Sequence, residues 1–179
     1  AIHPHLNITL SSELVPLTRE YERALTTVAN AFVAPRMQAY LEDLSALFPH
    51  TDIAIMDSAG GLIPVDDAAA EPVRTALSGP AGGVRGARRV ADQLAAGSIL
   101  ALDMGGTSTD ISIIERTLLP SSEGRVGHLP LRTPMLPIET VGAGGGSIAF
   151  IDDGGILKVG PQSAGAVPGP AAYGLGGAH

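Results

Sequence analysis

Apolar residues recur at helical spacing from Leu17 to Phe48, through Tyr21, Leu25, Val28, Phe32, Met37, Tyr40, Leu41 and Leu44, which predicts helix. Pro35 interrupts this run and implies two helices or one kinked one, because proline lacks the amide and crowds the preceding turn. The pattern then shortens. Ile53-Ala54-Ile55-Met56, inside Asp52 to Asp57 and followed by Ser58-Ala59-Gly60-Gly61, reads as a buried strand and a turn. Helical spacing returns from Ala68 to Leu77. A further helix is expected from about Val84 to Leu94, opened by Ser78-Gly79-Pro80-Ala81-Gly82-Gly83, with Pro80 near its first turn, where the missing N–H costs nothing.

Ser98 to Asp103, carrying Ile99-Leu100-Ala101-Leu102, is expected to be a buried central strand. Ile111 to Ile114 then returns beside it as a hairpin around Gly105-Gly106-Thr107. Alternation of Ile8 and Leu10 around Thr9 suggests an edge strand within Ala1 to Leu10. Pro120 to His128 reads as polar loop, and Leu136 to Val141 leads into Gly142-Ala143-Gly144-Gly145-Gly146-Ser147. Ile148 to Ile151 and Ile156 to Val159, joined by Asp152-Asp153-Gly154-Gly155, form a second candidate hairpin. The tail from Gly160 to His179 is Gly, Ala and Pro, either a functional loop or a frayed end. There is no solenoid repeat.

Composition narrows the function classes. The 179 residues suffice for one sizeable domain with its own core, and 45% hydrophobic against 16% charged residues is globular composition. A formal charge of -7 lacks the basic footprint that neutralises nucleic-acid phosphates, so nucleic acid is set aside. The sequence has no cysteine, which removes disulfides and thiolate metal sites and fits a reducing compartment. No apolar run approaches the roughly 20 residues of a membrane span, and Ala1 to Leu10 lacks the build of a signal peptide. A cytoplasmic location without membrane contact is the expectation.

The chemistry lies in the glycines, 23 in all. Asp103-Met104-Gly105-Gly106-Thr107-Ser108-Thr109-Asp110 follows an apolar strand. Paired glycines there let successive amides turn toward one point, a nest that accepts phosphate oxygens. Thr107, Ser108 and Thr109 add hydroxyls, and Asp103 at the strand end could hold Mg²⁺ directly or through water. The alternative is an ordinary hairpin with an Asp-rich polar turn. Two flanking aspartates and a run of hydroxyls favour the metal–phosphate site.

Gly142 to Ser147 approaches G-x-G-x-x-G, which suits a backbone cradle or a helix start equally. No P-loop lysine pattern occurs anywhere. Leu77 to Gly83 would place a helix N-terminus at the site, or else pack helix on sheet through small residues. His3, His5, His50, His128 and His179 show no metal-ligand spacing, and no nucleophile triad can be argued. Arg19-Glu20-Tyr21-Glu22-Arg23 reads as a solvated helix face, with the lining of an interdomain cleft as the other reading.

Five segments in order carry a family resemblance: SSELVPLTREYERALTTVANAFVAP, LSGPAGGVRGA, DMGGTSTD, TVGAGGGSIAFID and VGPQSAGAVPGPAAYG. Together they resemble the hydantoinase A/oxoprolinase family, which includes ATP-dependent hydantoinases, 5-oxoprolinases and the ATPase subunits of acetone and acetophenone carboxylases. The resemblance implies an α/β fold, a mixed sheet with flanking helices that is part of an actin/hexokinase-like, ribonuclease-H-like ATPase. It implies ATP and Mg as cofactors, a cyclic amide substrate (hydantoin or 5-oxoproline) phosphorylated on its carbonyl oxygen, and a partner subunit of the hydantoinase B type. A ketone carboxylase subunit or a non-catalytic nucleotide-binding module remain the other readings.

On the resemblance, Asp103, Gly105, Gly106, Thr107, Ser108 and Asp110 form the second phosphate loop, with Asp103 acting on the metal or its water, Asp110 catalytic, and Gly144, Gly145 and Gly146 nearby. Residues 1–97 would belong to the preceding half and residues 98–179 to the second half of the ATPase. Family members are several times longer and carry another D-x-G-G-T upstream, so a central fragment, inactive alone, is expected. Ala172 stands where the family's GPACYG has cysteine, and Glu139 where histidine is frequent.

Overall fold

A computed structural model describes residues 7–178. They form two compact units, residues 1–90 with 117–137 and residues 91–116 with 138–179, so the chain leaves the first unit, returns to it, and leaves again.

The first unit is built on one long helix. After a short helix, α1 (Ser11–Leu14), helix α2 runs unbroken from Glu20–Leu47 with Pro35 inside it. Next come β1 (Ala54–Met56) and β2 (Leu62–Pro64), an antiparallel pair, and α3 (Val65–Ala70) with a 3₁₀ turn at Pro72–Thr75. Leu41, Ile63 and Ala68 form one buried cluster, flanked by Met37, Leu44 and Ile55. Val73, Leu131 and Met135 form another, flanked by Leu14, Ala29 and Val126.

Between these clusters lies Asn30, fully buried. Its amide nitrogen donates to Ala70 O (3.0 Å) and Thr9 Oγ1 (3.2 Å), and its oxygen accepts from the Val73 amide (3.2 Å). One polar side chain thereby ties three segments to α2 without an orphaned group.

Several expectations change. The described part of the proposed N-terminal strand, residues 7–10, is not a strand: Leu10 caps α1 instead, and Ala1 to Leu6 lie outside the described residues. The Ile53–Met56 strand is half-buried at Ile55 and Met56 rather than buried, since it pairs only with β2. The helical run from Ala68 is split by Pro72, which starts the 3₁₀ turn. Helix α4 (Ser78–Gln93) begins a full turn before Val84, so its glycines lie inside the helix. The loop expected at 120–128 contains half a hairpin, β5 (Gly124–Val126) with β6 (Leu129–Leu131), closed by Gly127 at φ 58°.

The second unit holds the glycine loops. Strands β3 (Ile99–Met104), β4 (Thr109–Ile114) and β7 (Glu139–Val141) form an antiparallel sheet in the order β3-β4-β7. The β3–β4 hairpin is as expected, but β4 is central and β3 is an edge. Leu100, Leu102 and Met104 are 62%, 59% and 62% exposed, so β3 is not buried. They point to one face because strand side chains alternate. A second hairpin, β8 (Ser147–Ile151) with β9 (Leu157–Ser163), matches the pattern read from the sequence.

Candidate functional site: a zipped pair of glycine loops

The β3–β4 hairpin turns through Gly105 to Ser108, held by a bond from the Gly105 amide to Ser108 O (2.9 Å). Its register sets Asp103 opposite Asp110, and Asp110 opposite Thr140 on β7. Directly paired residues of an antiparallel ladder share a face. Two carboxylates and a hydroxyl therefore stand side by side at the loop's base, and Thr140 donates to Asp110 Oδ1 at 2.6 Å. The Asp103 side chain has no hydrogen-bond or ionic partner among the described residues, and the residue is exposed.

The Gly142–Ser147 loop lies directly against this turn. The Gly145 amide donates to Gly105 O (2.9 Å) and the Gly146 amide to Gly106 O (2.8 Å). Buried Thr109 donates through Oγ1 to Ala143 O at 2.5 Å, and the Gly144 amide donates to Ser147 Oγ at 2.9 Å. A Cβ on Gly144 would come within 2.6 Å of Gly105 O and of the Thr107 amide nitrogen, closer than such atoms pack. Glycine is required there because two backbones touch.

This pairing divides the expected site residues into two groups. The amides of Gly144, Gly145 and Gly146 are spent inside the protein, so these residues shape the cradle rather than present donors to a ligand. The Thr109 hydroxyl is spent likewise. By contrast, the amides of Gly106, Thr107 and Ser108 make no hydrogen bond among the described residues, and Gly106 and Thr107 are exposed. Three consecutive free amides on a glycine turn are the kind of donor set from which an anion nest is built.

The tail is an ordered third wall. The Ala164 amide donates to Gly146 O (2.7 Å), and a Cβ on Gly146 would lie 2.9 Å from Ser163 Oγ. Gly146, Ser147, Ile148, Ala149, Ala164 and Pro170 line a small cavity of about 260 Å³ beside the loops. Tyr173, in the 3₁₀ turn Ala171–Tyr173, brings its hydroxyl to Gly145. Sequence reading missed Tyr173. Its signal was a lone aromatic in a Gly/Pro/Ala tail.

The glycine-rich start of the helix opened by Leu77 to Gly83 belongs to the other unit, whose first segment ends at Val90 within α4. Cβ atoms on Gly79, Gly82 or Gly86 would meet nothing within 4 Å, so these glycines are not explained by packing among the described residues. The Arg19–Arg23 stretch carries an ion-pair network rather than a merely solvated face. Arg132 donates to Glu123 (2.9 Å) and Glu22 (3.1 Å), and Arg19 lies 3.5 Å from Glu123. Glu22 sits below the ordinary glutamate range, chiefly through a backbone hydrogen bond and then through Arg132. Glu123 is lowered chiefly by its hydrogen bond from Arg132, and Arg132 is raised in turn, first by Glu123 and then by Glu22.

A family model described as Hydantoinase/oxoprolinase matches residues 23–179, nearly all of the chain. The chain belongs to the hydantoinase/oxoprolinase family. Caprolactamase subunit alpha of Pseudomonas jessenii is 40% identical over 180 residues, 97% of this chain and 26% of that protein. The crystal structure of the ATP-dependent caprolactamase from that organism matches with a TM-score of 0.74 at 37% identity, over 93% of this chain and 25% of that one. The 5-oxoprolinase of Dictyostelium discoideum is 37% identical over 93% of this chain and 14% of its own. A nucleotide-free acetone carboxylase structure matches with a TM-score of 0.72 at 32% identity, covering 87% of this chain and 22% of that one. The chain thus spans about a quarter or less of these relatives. Its mixed α/β fold is related to that of ATP-dependent enzymes.

Proposed function

We propose that this chain is the phosphate-loop segment of an ATP-dependent enzyme that opens a cyclic amide. The three free amides of Gly106, Thr107 and Ser108, aimed outward from a turn held rigid by its neighbour loop, carry this reading. Such donors stabilise phosphoryl oxygens best when they are fixed before the ligand arrives.

Asp103, unpartnered beside Asp110, gives a small oxygen donor set, and among the described residues no cluster of three or more His, Asp or Glu exists. That set fits Mg²⁺, which is held by one or two carboxylates, water and substrate phosphates rather than by a full protein cage. Asp103 is the metal residue and Asp110, oriented by Thr140, its neighbour. Magnesium bound there would neutralise phosphate charge. Gly105, Gly144, Gly145 and Gly146 keep the loops in contact, and Thr107 and Ser108 offer hydroxyls as well as amides.

In the full polypeptide, transfer of the terminal phosphoryl group to the amide oxygen would make a leaving group and activate the carbonyl carbon for attack by water. A partner subunit of the hydantoinase B type would complete the enzyme. Two relatives named for lactam or oxoproline chemistry, at 40% and 37% identity, favour the cyclic amide. The acetone carboxylase likeness favours a ketone as the second reading.

The test is phosphate release from ATP by the full polypeptide with its partner, offered 5-oxoproline, hydantoin, caprolactam, or acetone with bicarbonate. Turnover stimulated by a cyclic amide, and reduced about 10²- to 10³-fold by Asp103→Asn, is expected for the loss of a group acting on transferring phosphate. Stimulation by acetone alone would transfer the assignment to carboxylation. Full activity of Asp103→Asn would remove that residue from the site.

A further inference from the structure

Helix α2 is apolar on two opposite sides. Its buried side carries Thr26, Asn30, Ala34 and Leu41. Val28 and Phe32 each follow one of these, Thr26 and Asn30, by two residues, which is roughly 200° around a helix of about 3.6 residues per turn, so they point away from that core. Together with Tyr21, two turns before Val28, they form an outward stripe that is 74%, 65% and 78% exposed at Tyr21, Val28 and Phe32. From Ala24 to Pro35 no residue is charged. A helix without a charged face belongs in an interior, yet this one has only one side covered.

The chain has three tyrosines, three phenylalanines and no tryptophan, and Tyr21, Phe32, Tyr40 and the C-cap Phe48 all stand exposed on this one helix. The two clusters beneath α2, built on Leu41, Ile63 and Ala68 and on Val73, Leu131 and Met135, contain no aromatic side chain. This division matches a subunit interface, whose centre is enriched in aromatic residues and depleted of charge. Contacts between domains of one chain are more polar, and permanent contacts between subunits are the more hydrophobic class. The matched stretch is 26% of caprolactamase subunit alpha but 14% of the 5-oxoprolinase, so the second chain is nearly twice as long and carries about another subunit's length beside the shared region.

We propose that the outward face of α2, centred on Val28 and Phe32 with Tyr21 at its rim, docks the partner subunit, a separate polypeptide that presents an uncharged apolar surface to it. This rests on the partner in the reading above and is independent of the phosphate loop. The face is covered only when the two subunits pair.

The experiment takes the full polypeptide alone and with its partner of the hydantoinase B type, as wild type, Phe32→Asp, Val28→Cys and Asp103→Asn. Pairing is read as a Kd by titration, and the melting temperature of each variant is taken alone. For Val28→Cys, the rate of maleimide uptake by the peptide that carries the cysteine is followed by mass spectrometry, with and without saturating partner. Phosphate release from ATP is followed for Asp103→Asn.

A charge at the centre of an aromatic contact predicts about 100-fold weaker pairing for Phe32→Asp, with unchanged melting because the ring it replaces is outside the core. The Val28→Cys thiol should react fast alone and slowly in the complex. Wild-type pairing by Phe32→Asp would overturn the proposal, as would a thiol that reacts fast in both states. A thiol already slow in the polypeptide alone would show the face covered by the same chain and overturn it too. Should Phe32→Asp melt early, the thiol rates decide. Full phosphate release by Asp103→Asn would overturn the phosphate-loop reading and leave the docking face standing, whereas wild-type protein that does not pair at all would remove the partner and the docking face together.

Discussion

Gly144→Ala tests the loop pairing at its tightest point. The added methyl would sit 2.6 Å from Gly105 O, 2.6 Å from the Thr107 amide nitrogen and 2.7 Å from Gly106 C, all of them backbone atoms that cannot swing aside like a side chain. Relief requires the loops to part by several tenths of an ångström, which lengthens the Gly145-to-Gly105 and Gly146-to-Gly106 hydrogen bonds. Each is worth about 0.5–1.5 kcal/mol net, and forcing a methyl into a packed contact costs about 1–3 kcal/mol. The expected destabilisation is therefore about 2–6 kcal/mol, read by urea denaturation, with ATP binding weakened because the free amides lose their fixed orientation. Gly142→Ala is the control: it lies in the same loop, but its methyl would meet nothing within 4 Å. A Gly144→Ala protein as stable as wild type, or a Gly142→Ala protein equally damaged, would refute the argument.

Asn30→Ala should cost about 2–4 kcal/mol, because it strands the Val73 amide and the Ala70 carbonyl in the interior; thermal melting that moves by less than a degree would contradict this. Leu41→Ala, at a fully buried position between α2 and the β1–β2 pair, should cost about 2–5 kcal/mol by the same assay. Glu22 and Glu123 have carboxyls lowered by folding, so their stabilisation is complete above the ordinary glutamate value of about 4.3 and is lost as pH falls through their lower folded values. Arg132→Met should therefore flatten the acid limb of the melting temperature against pH, and an unchanged limb would count against the network.

Local pattern carried the elements whose signals are local. Helix α2, the β3–β4 turn at Gly105–Ser108 and the β8–β9 hairpin all follow from apolar spacing and from glycine. The pattern misplaced β3 because Ile99-Leu100-Ala101-Leu102 reads as a buried run wherever it sits, and only pairing distinguishes an edge from a centre. Hairpin β5–β6 was hidden because Arg125, Gly127 and His128 resemble loop, while its inward Leu131 lies outside the polar stretch.

At the site, residue spacing pointed to both glycine loops. It could not show that they touch, since Gly105 and Gly145 are far apart in sequence and are joined through backbone atoms that every residue possesses. For the same reason, spacing could not separate donors spent within the protein, at Gly145 and Gly146, from those left free at Gly106 to Ser108. The position of Tyr173 depends on Gly145 and Gly169, in two loops, a combination visible only once the tail is folded back.

The central claim is that the Gly106, Thr107 and Ser108 amides receive nucleotide phosphate. Residue-resolved hydrogen exchange on the full polypeptide, with and without magnesium ATP, tests it most directly. These three amides should exchange fast without nucleotide and slow markedly with it, while the Gly145 and Gly146 amides, already bonded, stay protected in both states. Fast exchange at Gly106 to Ser108 under saturating ATP would contradict the account.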